Sequence, residues 1–172
     1  MDAHHAAQRQ WPAATPVWLD LGPATLTWRP TPDGEALATL PLGDVATGAR
    51  FFAGERPTPV ELERAIDFVE DALMAALPHW PAGAVLLSTD ARWLADTGLA
   101  GEQDEQGAYG FTTLSTPAVE AAFQRLASGA LGDASAWREL PPGREAAARL
   151  LVLREALHHL RLDGLHLWRH PG

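Results

Sequence analysis

Asp20 and Asp90 are the residues best suited to carry chemistry. Each stands at or near the end of a predicted strand: Asp20 within Val17 to Leu21 (VWLDL), Asp90 just past Ala84 to Ser88 (AVLLS). Two carboxylates at neighbouring strand ends can share a divalent metal such as magnesium. Glu63 or Glu70, on the helix that lies between them in sequence, would supply a third ligand. A two-metal nuclease would use such a set. The plainer reading is that an Asp at a strand end serves a turn or a cap.

Histidines are the other candidates. His158, His159, His166 and His170 form the densest group, and His4 and His5 stand near the N-terminus. Adjacent histidines on a helix point about 100° apart, which suits one shared metal badly. At a helix C-terminus they complement the dipole, so no tightly bound transition metal is expected. The chain has no cysteine, which excludes disulfides, thiolate metal sites and cysteine nucleophiles. No Gly-x-Ser-x-Gly, Gly-x-x-x-x-Gly-Lys or Gly-x-Gly-x-x-Gly occurs.

The 172 residues carry a formal net charge of -9, and all 13 basic residues are arginine. That acidic balance works against nucleic-acid backbones and anionic membranes. No run of about 18 apolar residues suggests a membrane span, and MDAHHAAQRQW lacks the apolar core of a signal peptide. A cytoplasmic protein is expected. Seven tryptophans in this length imply core or interface anchors.

The elements that must position these residues are organised around Thr58 to Leu77. Thr58, Pro59 and Glu61 spell a capping box with proline at the first helical position. Leu62, Ile66, Val69 and Leu73 then form one apolar stripe. Before this helix, residues 1–16 read as a flexible leader, and 17–172 as a single α/β domain. Val17 to Leu21, Ala24 to Arg29 and Glu35 to Leu42 read as an antiparallel meander, turning at Gly22-Pro23 and Thr31 to Gly34. Gly43 to Pro57 reads as a loop pinned by Phe51 and Phe52. Ala84 to Ser88 reads as a buried, parallel strand. A helical turn at Ala91 to Ala95, an exposed acidic loop from Gly98 to Gly110 and an extended Gly110 to Leu114 follow. Thr116-Pro117 starts a helix, Arg144 to Leu162 forms the last helix with Gly164 as its cap, and Leu165 to Arg169 forms a final strand.

Three antiparallel strands, a helix and a parallel strand open the ribonuclease H-like fold, which includes the actin-like ATPases. The chain resembles the exopolyphosphatase and guanosine pentaphosphate phosphohydrolase family in particular. The resemblance lies in Asp20-Leu21-Gly22, the loop around Gly43 to Gly54, Thr58-Pro59 and Ser88-Thr89-Asp90-Ala91-Arg92, with Pro141 to Trp168 similar to the superfamily's late helix-strand unit. It implies a mixed sheet in which Asp20 and Asp90 lie close together. It also implies a phosphate held by Gly22, Thr25, Thr89 and Arg92.

The departures from the family pattern shape the expected function. Pro23 removes an amide and Ala24 a hydroxyl where the family has small hydroxyl residues. The family's Asp-x-Gly-Gly-Gly loop and its water-activating Glu-Glu segment are absent, and known members are about twice this length. The expected protein is a reduced, non-catalytic relative that works by binding or assembly. The alternatives are a magnesium-dependent phosphohydrolase acting on a nucleotide or polyphosphate, and a metal-dependent nuclease. A homodimer is expected, because the last helix is apolar on more than one side and tryptophan is abundant.

Overall fold

The computed structural model describes residues 2–103 and 110–169. In chain order the elements are α1 (Ala3–Gln10), β1 (Thr15–Leu21), β2 (Leu26–Arg29), β3 (Ala38–Leu40), α2 (Asp44–Phe51), α3 (Pro59–Ala76), β4 (Ala84–Ser88), α4 (Arg92–Thr97), β5 (Glu102–Gln103), β6 (Phe111–Ser115), α5 (Thr116–Ala130), α6 (Arg144–His159) and β7 (Gly164–Trp168).

The helix that organises the sequence forms as its cap dictates. Thr58 accepts the Glu61 amide at 3.4 Å, and Glu61 Oε2 accepts the Thr58 amide at 2.7 Å. The other Glu61 oxygen accepts the Ala53 amide at 2.9 Å, which ties the start of α3 to the chain leaving α2. These bonds, the Ala53 amide foremost, hold the Glu61 carboxyl below its usual range. Leu62, Ala65, Val69 and Leu73 are buried, while Ile66 sits at the edge of the stripe, partly exposed.

One sheet runs through the molecule in the order β3-β2-β1-β4-β7-β6-β5. β1, β2 and β3 pair antiparallel, as the short turns between them require. β4 pairs parallel with β1 (Val17 opposite Leu86) and with β7 (Leu86 opposite Leu165). β6 and β5 continue antiparallel beyond β7. The uninterrupted apolar run of β4 follows from this central place, where both faces are covered. On one face Leu19, Trp28, Leu86 and Leu167 share a core with residues of α3, α5 and α6. On the other, Trp18, Val85, Leu87 and Phe111 meet Ala3, Ala6 and Ala7 of α1.

Several expectations need correction. Residues 1–16 are not simply a leader, because Ala3–Gln10 is a helix packed on the sheet through its alanines. The loop expected at Gly43 to Pro57 contains α2, and Phe52 at its end is buried, with Phe51 against Phe68. The last helix stops at His159, and its left-handed exit residue is Arg161, not Gly164. Gly164 instead opens β7, where an added Cβ would lie 2.7 Å from the Leu114 carbonyl oxygen. Within the expected acidic loop, Glu102–Gln103 forms β5. Asp104 and Glu105, like His170, fall outside the described residues. Among the described residues no helix is long and apolar enough to cross a membrane.

Candidate functional site

The parallel pairing of β1 with β4 brings their C-terminal ends side by side. Buried Ser88 joins them. Its hydroxyl donates to the Leu19 carbonyl at 2.9 Å and accepts the Asp90 amide and the Trp93 indole N–H, each at 3.2 Å. Asp20 and Asp90 line one depression of about 180 Å3, together with Trp18, Arg29, Pro32 and Thr89. Asp20 sits on the α1 side of the sheet, on the same strand face as Trp18, and is exposed.

Asp90 is occupied by guanidinium groups. Arg92 Nε lies 3.1 Å from each carboxylate oxygen, and Arg92 Nη2 lies 2.9 Å from Oδ2. Arg92 also donates to the Leu21 carbonyl at 3.2 Å, so one side chain clips the loop after β4 to the end of β1. From α6, Arg149 Nη1 reaches Asp90 Oδ2 at 3.3 Å. Burial raises the Asp90 pKa, but the hydrogen bonds from Arg92 and the charges of Arg92 and Arg149 outweigh it and leave the carboxyl below its usual range. The same pairing with Asp90 raises Arg92.

Arg149 is the centre of the cluster and is fully buried. Its Nη2 makes a short ion pair with Asp44, the first residue of α2. Its Nε lies 3.1 Å from Asp96 of α4 without hydrogen-bond alignment, so that contact is an ion pair. Its guanidinium stands 5.0 Å from the Trp93 ring centroid. One arginine thus joins α2, the β4-α4 connection, α4 and α6. Neither Asp44 nor Arg149 stood out in the sequence. The available signal was a charged residue set in the broad apolar face of the last helix, between Ala147 and Leu150.

The turn from β1 to β2 fits a phosphate poorly. Gly22 gives its amide to the Thr25 carbonyl at 2.9 Å, and Pro23 has no amide to give. The turn's carbonyls cap α2: Asp44 N donates to Gly22 O at 3.2 Å, and Ala46 N to Pro23 O at 2.9 Å. Val45 N donates to the Asp44 side chain at 2.8 Å, and Thr47 N to Gly43 O at 2.8 Å. All four first-turn amides of α2 are therefore satisfied inside the protein, which leaves no donor there for an anion. The close approach requires Gly43, because an added Cβ would lie 2.3 Å from the Ala24 backbone. Thr25 and Thr89 are exposed near the strand ends, and Arg92 is engaged as described.

The expected metal set is not assembled. Glu63 is exposed on α3, and Glu70 lies 4.0 Å from His159 in the last turn of α6. His159 is ten residues beyond Arg149, roughly 15 Å along the helix. Among the described residues no three His, Asp or Glu side chains are grouped so that they could hold a metal ion. Neither Glu63 nor Glu70 joins Asp20 and Asp90 in their depression, and Asp90 already has both oxygens engaged. The residues do not fit a bound magnesium in this arrangement.

No protein-family model and no curated protein sequence matches the chain. Solved structures do. The crystal structure of the type II variant of the Aquifex aeolicus Ppx/GppA phosphatase matches with a TM-score of 0.65 and 17% identity, over 96% of this chain and 57% of that one. A second Aquifex aeolicus Ppx/GppA structure matches with a TM-score of 0.67 and 16% identity, over 96% and 56%. An exopolyphosphatase-like protein matches with a TM-score of 0.63 and 17% identity, over 91% and 56%. The chain spans little more than half the length of these proteins. Over nearly all of its own length it shares the fold of the Ppx/GppA structures, actin-like and ribonuclease H-like.

Proposed function

We propose that this chain is a binding or assembly protein that keeps the actin-like, ribonuclease H-like fold without catalysis. One observation carries the reading: the polar groups at the β1 and β4 ends are bonded to one another. The α2 amides are taken by Gly22 and Pro23 and by the helix's own first turn, and Asp90 is taken by Arg92 and Arg149. The phosphate-binding role implied for Gly22, Thr25, Thr89 and Arg92, and the catalytic role for Asp20 and Asp90, would need that network to open.

The second reading is a magnesium-dependent phosphohydrolase acting on a nucleotide or polyphosphate. Its support is the likeness to proteins named as phosphatases and exopolyphosphatase-like. Calorimetric titration with a nucleoside triphosphate and with polyphosphate, each with and without magnesium, separates the two. The first reading expects no saturable heat. Tight, magnesium-dependent binding that Asp90→Asn abolishes would replace it with the second. Homodimerisation and residence in the cytoplasm belong to the same proposal. Light scattering tests the former, and cell fractionation tests the latter.

A further inference from the structure

We propose that the cavity between α4, α5 and the start of α6 binds a free α-amino acid with a small, branched apolar side chain. This cavity shares no lining residue with the depression that holds Asp20 and Asp90, and the inference goes beyond the function proposed for that place.

The inner wall is apolar and firm. Leu126 of α5 and Ala147 and Leu150 of α6 are buried there, and Trp137 and Leu140, from the connection between the two helices, close the side. Trp137 is held in place: its indole N–H donates to the Gly129 carbonyl at 3.1 Å, and an added Cβ on Gly129 would lie 2.6 Å from its ring. The cavity measures about 90 Å3. An apolar cavity of about 150 Å3 holds benzene, so this smaller one takes a propyl- or butyl-sized side chain and excludes a phenyl ring.

Charges of both signs stand at the mouth without partners. Glu55 and Arg56, in the connection between α2 and α3, are exposed, and among the described residues neither forms an ion pair. The Arg56 guanidinium stands 5.3 Å from the centroid of the Trp137 ring, over a wall of the cavity. Asp96 of α4 is the third charged lining residue. It belongs to a cluster of three carboxylates, Asp44, Asp90 and Asp96, that share two guanidiniums, Arg92 and Arg149. Asp96 is the one left short. Only its Oδ2 meets Arg149, and that contact lacks hydrogen-bond alignment. Its other oxygen is available to an ammonium.

An amino acid matches each of these features. The ammonium meets Asp96 and Glu55, the carboxylate meets Arg56, and the side chain fills the apolar wall. α6 begins at the same wall, at Gly143, without a side-chain cap, and its positive end favours the carboxylate on that side. A plain amine would leave Arg56 without a partner. A plain acid would face Asp96 and Glu55.

The test is a titration with L-leucine and its two halves, isopentylamine and 4-methylpentanoate, followed through the indole N–H resonance of Trp137. Leucine should shift that resonance saturably, and each half should bind roughly tenfold more weakly, the worth of one charged hydrogen bond. L-Phenylalanine should not bind. Arg56→Gln should bring leucine down to the level of isopentylamine and leave isopentylamine itself unchanged. Asp96→Asn should bring leucine down to the level of 4-methylpentanoate. Glu55→Gln, at an exposed residue outside the arginine cluster, should weaken leucine and isopentylamine together, which keeps the test intact if Asp96→Asn disturbs the fold. Ala146→Leu, in the cavity wall, should abolish binding of all three. The proposal fails if leucine gives no saturable shift, if either half binds as tightly as leucine, if phenylalanine binds equally well, or if Ala146→Leu leaves binding intact. No phosphate compound enters this titration, so failure of the proposed function appears separately, in its own calorimetry.

Discussion

Replacing Arg149 by methionine tests the central cluster most severely. The substitution keeps an unbranched apolar stem and removes the guanidinium that faces Asp44, Asp90 and Asp96. The three carboxylates do not suffer equally. The Asp44 side chain is 7% exposed and loses its arginine, so it carries most of the cost. Asp90, 18% exposed, keeps Arg92. Asp96 is 39% exposed and is screened by water. Leaving one buried carboxylate unpaired costs about 3–5 kcal/mol, and the other two add little. Arg149→Met should therefore lower stability by that amount in urea denaturation, with an unchanged slope. Arg149→Met combined with Asp44→Asn should recover part of it, because the stranded charge is then gone. Arg149→Lys should fall between, since one ammonium cannot serve three carboxylates from three directions. A loss under about 1 kcal/mol for Arg149→Met would refute the reasoning and mean that Asp44 finds solvent or another donor.

Leu73→Ala, at a fully buried position of α3, should cost about 2–5 kcal/mol, and Ile66→Ala distinctly less because Ile66 is only half-buried; denaturant midpoints rank the two. Thr58→Ala should cost roughly 1 kcal/mol by removing one arm of the capping box, also read by denaturation. Asp90 stabilises the fold as a carboxylate whose pKa is held below the usual value. Its contribution is present at neutral pH and fades as pH falls below about 4, so the Tm gap between wild type and Asp90→Asn should close there and stay constant above about pH 5. Light scattering at micromolar concentration should read twice the 18.5 kDa chain mass, and a monomer mass that persists as concentration rises would remove the homodimer.

The sequence announces some of this structure and conceals the rest for physical reasons. Thr58-Pro59-Val60-Glu61 places the start of α3 because its cap is local, and the apolar run Ala84 to Ser88 places β4 because both its faces are covered. α1 is concealed because it packs through alanine methyls, which give a weak apolar stripe. α2 is concealed by Gly48, a poor helix former in isolation. The structure explains that glycine: an added Cβ would lie 3.1 Å from the Arg144 carbonyl oxygen, where α2 meets α6. At the candidate site, Asp20 and Asp90 are legible as strand-end residues. The pairing of Asp44 with Arg149 is not, because it spans 105 residues and no local pattern records it.

The place of β7 has a consequence for how the chain can be made. It lies in the middle of the sheet, between β4 and β6, yet it follows both of them in the chain. α6, which brings Arg149, emerges just before it. Until then β4 has a bare edge of unpaired amides and carbonyls, and Asp44 waits without its cation. β6 likewise has no neighbour on the side that β7 will fill. A nascent chain halted before residue 144 holds the meander and α3 but cannot close its sheet. Vectorial synthesis therefore delays that pairing until β7 has emerged, and a shorter nascent chain presents a strand edge to other chains nearby.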